Sequence, residues 1–585
     1  MRLGWTTLGA GLVGLALIAA ACGAGNDSDE AGRADEAGRG GSNGAEAGAG
    51  GGAGFGNTGG SGGTGDAGGL PPEVETNESF ELPHAGEHYV YVTNPETDNV
   101  AVIDAATLGI HVVEAGDEPT FLQTLAGKDA AIVLNAGSAD ATIIRTANGV
   151  SRTTSVSVKP GSNAIAVAPA GSHAVVYFDP THSSSGSRKG SFQDVTLIAL
   201  EESGDLSIPV TVGFRPSAVF FQEDGSRAFV VTEDGVSILD FAKIEQNGGG
   251  IAKTVAVGAT GIDATLDVSV TPDGRYALAR EENVGILRLV DLESGAVRLL
   301  DLAALTGAPS VPSGDSGASE AGTGEAGTGE GGTADGSAPA PLGAITDLDL
   351  APAGDYALAV VRGSSRVLRL PIPDAFENVA SVRSYQIANE TVGSVTFAPG
   401  GQHALLFTTV LDTNERITIL NLANSTHKSV QLRKAIRSVA IAPDGKKALV
   451  LHRKLPGDPS EPGLELDMQI DRAYGYSLLE LESGFAKLEV TPAELGAFAL
   501  VPDGSFLFVL LDSEASREVQ RADLSSFFVD RYQLGSRPVS VGAVPATHKV
   551  FVGQEHPDGR IAFVDWATGD IQSVTGFELN SRIRE

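Results

Sequence analysis

The sequence predicts an all-β fold, a β-propeller of four-stranded antiparallel blades, and three observations lead there. The first is a repeated unit. Ser438 to Leu451 reads SVAIAPDGKKALVL, a short apolar strand, a tight Pro-Asp-Gly turn and a second apolar strand. The same unit recurs as AIAVAPAGSHAVVYF from Ala164, DVSVTPDGRYALA from Asp267, LDLAPAGDYALAV from Leu348, VTFAPGGQHALLF from Val395 and AFALVPDGSFLFVL from Ala497. The second is its period. The last residue of the turn falls at Gly86, Gly127, Gly171, Gly225, Gly274, Gly354, Gly401, Gly445, Gly504 and, degenerate, Thr547. These steps cluster at 40 to 60 residues, apart from one gap of 80. A period of about 40 to 50 residues with four strands is what a propeller blade requires, because one small sheet cannot bury both faces without neighbours. The third is a strand that closes on Asp or Asn, as in VSILD from Val236, ILRLVD from Ile286, ITILN from Ile417 and IAFVD from Ile561.

Taken in order, the chain opens on Met1-Arg2, an apolar run from Leu8 to Ala21, and the small residues Ala19-Ala20-Ala21-Cys22-Gly23. The run is shorter than the roughly 17 to 25 residues of a spanning helix, so residues 1–21 read as a signal peptide. Cys22 is the sole cysteine and forms no internal disulfide. The block resembles a bacterial lipobox, with Ala19 where Leu is usual. The resemblance implies lipidation of Cys22, a membrane anchor through that lipid and, with Gly23 following, the outer membrane.

Residues 22–77 collapse to Gly, Ala, Ser, Thr, Asn and Asp, as in GAGGGAGFGNTGGSGGTGDAGG. Such a segment buries too little apolar surface to offset chain entropy and reads as a disordered tether. Its mean reach is about 5 to 6 Å times the square root of its length, a few nanometres. Residues 78–585 carry the propeller, with Ser79 to Pro83 as the first inner strand. About ten repeats can be counted; eight or nine blades with degenerate ends, or two smaller rings, stay open. The 80-residue gap holds a Gly, Ala, Ser and Glu segment at 309–339, whose removal restores the common period, so it reads as a loop insertion. The segment from Tyr89 gives two half-buried strands joined by a polar loop. Tyr91-Val92-Thr93-Asn94, followed by Asp98-Asn99-Val100 and Val102-Ile103-Asp104, resembles the YVTN family of β-propeller repeats. That resemblance speaks to fold and leaves function open.

Composition narrows the partners. A formal net charge of −34 argues against a phosphate backbone, which needs clustered Lys and Arg. Nucleic acid is excluded as a partner on that ground. Aromatic content of 6% advertises no stacking platform for bases or long sugars.

With strands a to d alternating in direction, the a–b and c–d connections share one face of the ring, here the turn face. The b–c and d–a connections share the other, the loop face. The a–b turns are short and alike, and the elaborations are expected on the loop face: 180–191 with Arg188 and Lys189, 455–476, and the insertion at 309–339. Variable loops on a rigid scaffold are where binding residues sit. The 455–476 loop holds Asp458, Glu461, Glu465, Asp467 and Asp471. Their oxygens suit calcium in type, but the 12-residue loop pattern with central Gly and terminal Glu is missing, so a solvated acidic loop is expected and no metal site or cofactor is assigned.

His88, His173, His403 and His548 each follow a turn, yet in other repeats that place holds Asp129, Arg227, Tyr276, Tyr356, Lys447 or Phe506. It is therefore expected to be a structural slot opening strand b. No Gly-x-Ser-x-Gly elbow, His-Glu-x-x-His pair or phosphate loop is present. The resulting expectation is an envelope-anchored binding or scaffolding propeller acting on a protein or glycan through its looped face. Alternatives are a propeller hydrolase resembling the lactonase type, with carboxylates and histidines converging at the channel mouth, and a surface-layer structural component.

Overall fold

The computed structural model describes residues 85–182, 189–258, 266–281, 285–305, 345–361, 365–387, 390–410 and 415–577. The signal peptide, Cys22, the tether, Arg188 and the 309–339 insertion lie outside these residues, as does the expected inner strand Ser79 to Pro83.

Ten antiparallel sheets follow one another along the chain. Eight have four strands in simple a-b-c-d order, for example Ile436–Ile441, Lys447–His452, Tyr474–Glu480 and Ala486–Thr491 in blade 8. Blade 1 shows Tyr89–Asn94, Asn99–Asp104 and Ile110–Glu114 as strands b, c and d, with an Ala85–Val90 bridge at its inner edge. Blade 3 gains a fifth, two-residue strand described below.

Ten separate hydrophobic clusters lie between these sheets, each drawing on two consecutive blades. One of them joins Val90, Ala101 and Ile103 of blade 1 to Val544, Phe551 and Phe563 of blade 10. The molecule is therefore one closed ring of ten blades, and the readings of eight or nine blades or of two rings are set aside.

Sandwiching explains why strand b departs from the expected alternation. Tyr356–Val361 and Ala130–Asn135 are buried at every position, since each blade is covered on both faces. The sequence there is a continuous apolar run, like a parallel strand in a covered sheet. Outer strands d are mostly exposed, as in Val150–Ser157.

The Asp or Asn that ends strand c has a local cause. Asp104, Asp291, Asn421, Asp523 and Asp565 each accept backbone N–H groups two and three residues on, closing the c–d turn. A buried Thr or Ser in mid-strand c serves the next interface: Thr142, Thr196 and Ser237 accept from the amides of Gly116, Lys159 and Gly213 in the preceding d–a connections.

The Pro-x-Gly turns stack on one another around the ring. Lys128 Nζ donates to Gly171 O at 2.8 Å, Glu223 N to Pro272 O at 2.9 Å, and Ala546 N to Glu87 O at 3.0 Å across the last junction. Glycine recurs because the position is left-handed, φ 73° at Gly354, and because a β-carbon there would stand 2.5 Å from Pro272 Cδ of the preceding turn. Gly225 has a similar φ of 71° but open space around it. Gly225→Ala is expected to cost about 1–2 kcal/mol, the left-handed penalty alone, and Gly354→Ala distinctly more. Denaturation midpoints of the two variants, read side by side, check the turn-on-turn contact; equal losses would refute it.

Two elaborations correct the expectation that all of them fall on the loop face. The c–d connection of blade 4 carries the helix Phe241–Asn247, and that of blade 6 the helix Asp374–Glu377, both on the turn face. In blade 4 the sequence IAKTVAVG from Ile251 reads as strand d, but Gly250–Ile251 pairs in parallel with Val210–Thr211 of blade 3, and strand d is only Lys253–Val255.

Candidate binding surface on the loop face

Lys189, from the basic b–c loop of blade 3, is exposed. The acidic b–c loop belongs to blade 8, half a ring away, so the structure does not bring Lys189 together with Asp458, Glu461, Glu465, Asp467 or Asp471.

The blade 8 loop is ordered by its own bonds. Asp458 accepts from Ser460 N at 2.8 Å and Ser460 Oγ at 2.6 Å, and these bonds hold its carboxyl below the usual range. Arg472 pairs with Glu461 at 2.5 Å, and Leu455 N donates to Asp471 O at 2.9 Å. The helix Leu466–Arg472 buries none of its residues and leaves Leu466 67% and Met468 39% exposed.

Beneath it lies Lys434, whose side chain is fully buried, with 0% exposed. Its Nζ donates to Ile470 O at 2.7 Å and Asp471 O at 2.9 Å, the carbonyls of the last helical turn. The same carbonyls also accept Ala473 N at 3.1 Å and Leu455 N at 2.9 Å, so the cation adds a second donor to each and meets the negative end of the helix. Burial pushes the Lys434 ammonium down in pKa, while Asp471 and Glu415 pull it back up. Glu415 of blade 7 is raised by burial and by the nearby Asp471 and Asp467.

Of the five loop carboxylates, Asp458 is engaged with Ser460 and Glu461 with Arg472, each apart from the others. Among the described residues no group of three or more His, Cys, Asp or Glu is placed to hold a metal ion.

The histidine slots do not converge either. His88 Nδ1 lies 2.8 Å from Asp129 Oδ2, the equivalent slot of the next blade. His173 stacks on Phe241 at 4.1 Å and bonds Glu245, His403 faces Asn421, and His548 packs on Trp566. A closer approach to catalytic geometry was not foreseen: His452 Nε2 lies 2.7 Å from Ser477 Oγ, with Nδ1 3.2 Å from Ala435 O. Both residues are buried, and burial pushes the imidazole down to about 4, a weak base with no substrate access. Ser477 fills the mid-strand-c hydroxyl slot of blade 8, so the pair is a cross-strand core contact.

On the inner strand of blade 6, Asp347 Oδ2 accepts Val395 N at 2.7 Å and Asp349 Oδ2 accepts Phe397 N at 3.0 Å. These carboxylates satisfy the unpaired inner edge of blade 7. Burial of the carboxylate pushes Asp349 up to about 6, against the pull of the Phe397 and Leu350 amides.

No protein-family model and no curated protein matches the chain. Solved structures that resemble it include a eukaryotic initiation factor (11% identity, 77% of this chain and 98% of that one, TM-score 0.45). Others are the dihydro-heme d1 dehydrogenase NirN in complex with DHE (13%, 67% and 74%, TM-score 0.37) and the β-propeller domain of Myceliophteria thermophila Cps50 (Swd1) (14%, 62% and 96%, TM-score 0.29). At these identities and scores the likenesses carry no functional conclusion, and the ring rests on its own sheets and interfaces.

Proposed function

We propose that the chain is a binding or scaffolding propeller of the YVTN-repeat kind, tethered to the bacterial outer envelope by a lipid on Cys22, and that it engages an envelope protein or glycan through its loop face. One observation carries the reading: a buried lysine is committed to holding, beside the loop's own bonds, a segment that displays Leu466 and Met468 to solvent. Burying an ammonium is costly unless its donors are used, and here their use orders a surface rather than a core. The Ala-Ala-Cys-Gly block and the glycine-rich stretch after it supply the anchor and its reach.

The test is made on protein from its native membrane fraction. Intact mass should show an acylated Cys22, and Cys22→Ala should leave the membrane fraction. A photo-crosslinker at position 468 should trap a discrete partner that the same probe at position 225, on the turn face, does not. An unacylated cysteine would overturn the anchor; identical products from the two probe sites would overturn the loop-face assignment.

A further inference from the structure

The turn face carries a groove of about 740 Å³ between the blade 4 excursion and blade 5. Its volume lies within the range of ligand sites, roughly 300–1,000 Å³. Its walls are fixed in advance. Asp240 caps the helix Phe241–Asn247 through Lys243 N at 3.2 Å, Gly248 ends it at φ 68°, and Phe241 is stacked against His173. The Gly250–Ile251 strand then pins the far end to blade 3.

Among the described residues four cations line this groove, Arg227, Lys243, Lys253 and Arg275, against the carboxylates of Asp240, Asp273 and Glu293, in a chain whose net charge is −34. At physiological salt the screening length is about 8 Å, so the local set and not the total decides what is held there. Lys243 already takes Asp240 at 2.7 Å, leaving Arg227 3.9 Å from it. Lys253 Nζ bonds the neutral carbonyls of Leu292 and Glu293. Asp273 is spent in its own turn, on Thr271 Oγ1 and Arg275 N. The Arg275 guanidinium lies over the Tyr276 ring at 5.0 Å, and Asp291, occupied by the amides of its own turn, also feels its charge. At the lip, Ile251 is 86% exposed. Among the described lining residues Phe229 is the one aromatic and is buried, so none of them offers a sugar or base a face to stack on.

We infer that this groove is a second binding site, taking an acidic peptide in which carboxylates flank an aliphatic residue: Arg227 and Arg275 hold the carboxylates, and Ile251 meets the aliphatic side chain. The inference is independent of the loop-face reading, which lies on the opposite side of the ring.

Fluorescence anisotropy on the full chain tests it, with a labelled Glu-Leu-Glu-Leu-Glu peptide as probe and Lys-Leu-Lys-Leu-Lys and Glu-Gly-Glu-Gly-Glu as comparisons. Arg227→Gln with Arg275→Gln, both at exposed positions, should weaken binding about tenfold or more, the loss shrinking as salt is raised. Ile251→Ser should weaken it less, and Lys434→Met should leave it unchanged. Equal binding by wild type and the double variant, or equal binding of the lysine peptide, would overturn the site; equal binding of the glycine peptide would overturn its aliphatic part.

Discussion

Asp349→Asn and His452→Gln should tilt the pH dependence of stability in opposite directions between about pH 4 and 6. His452 has a folded pKa of about 4, below its ordinary value of 6.5. The unfolded chain takes up that proton on acidification before the fold does, so stability falls as pH drops through this window. Integrated over the shift, the loss reaches roughly 3 kcal/mol. Asp349 is the converse, with a folded pKa of about 6 against 3.8. There the fold keeps a proton that the unfolded chain has released, so stability falls as pH rises, by roughly 2–3 kcal/mol. In the wild type the two slopes largely offset. Without the Asp349 carboxyl, stability relative to wild type should climb with pH; without the His452 imidazole it should decline. Unfolding midpoints at three pH values in that interval suffice. Parallel profiles for all three proteins would show that neither group is displaced in the fold.

Lys434→Met should free the blade 8 loop without weakening the ring. Methionine fills a similar volume and removes a buried charge, so global stability should move by less than about 1 kcal/mol. Amide exchange across 455–473 should quicken, because Ile470 O and Asp471 O lose the ammonium donor and keep only Ala473 N and Leu455 N. Lys434→Ala adds a cavity and should cost about 2–4 kcal/mol more. Since the Lys434 charge also depresses His452, the methionine variant should raise that imidazole and soften the acid limb. Unchanged exchange across 455–473 in the methionine variant would show that the lysine does not hold the loop.

Much of this architecture was legible in the chain. The Pro-x-Gly turn with a positive-φ glycine, the Asp or Asn closing strand c, and the length of the unit all encode local geometry, and local geometry repeats. The helix Phe241–Asn247 was readable too. Asp240 as cap, Phe241 and Ile244 three residues apart, and Gly248-Gly249-Gly250 as terminator were all in view, but a repeat of strands masked them. Lys434 was not readable, because nothing between Arg433 and Ala435 tells which cation is solvated; its burial is set by a loop 36 residues further on. The groove was hidden for the same reason. Arg227, Ile251 and Arg275 belong to different strands and turns, and only the packing of blade 5 on blade 4 makes them neighbours.

The stacked turns resemble the wedge stones of a masonry arch. The turn at Gly354 rests on the one before it, and the last, at Ala546, rests on the first, at Glu87. One residue more or fewer in any of them would shift its two neighbours, and through them the whole circle. A segment added elsewhere pays only loop-closure entropy, which grows slowly with length. The length of this chain can therefore vary on its outer connections, as the long stretch between blades 5 and 6 already does, while its inner circumference stays in step.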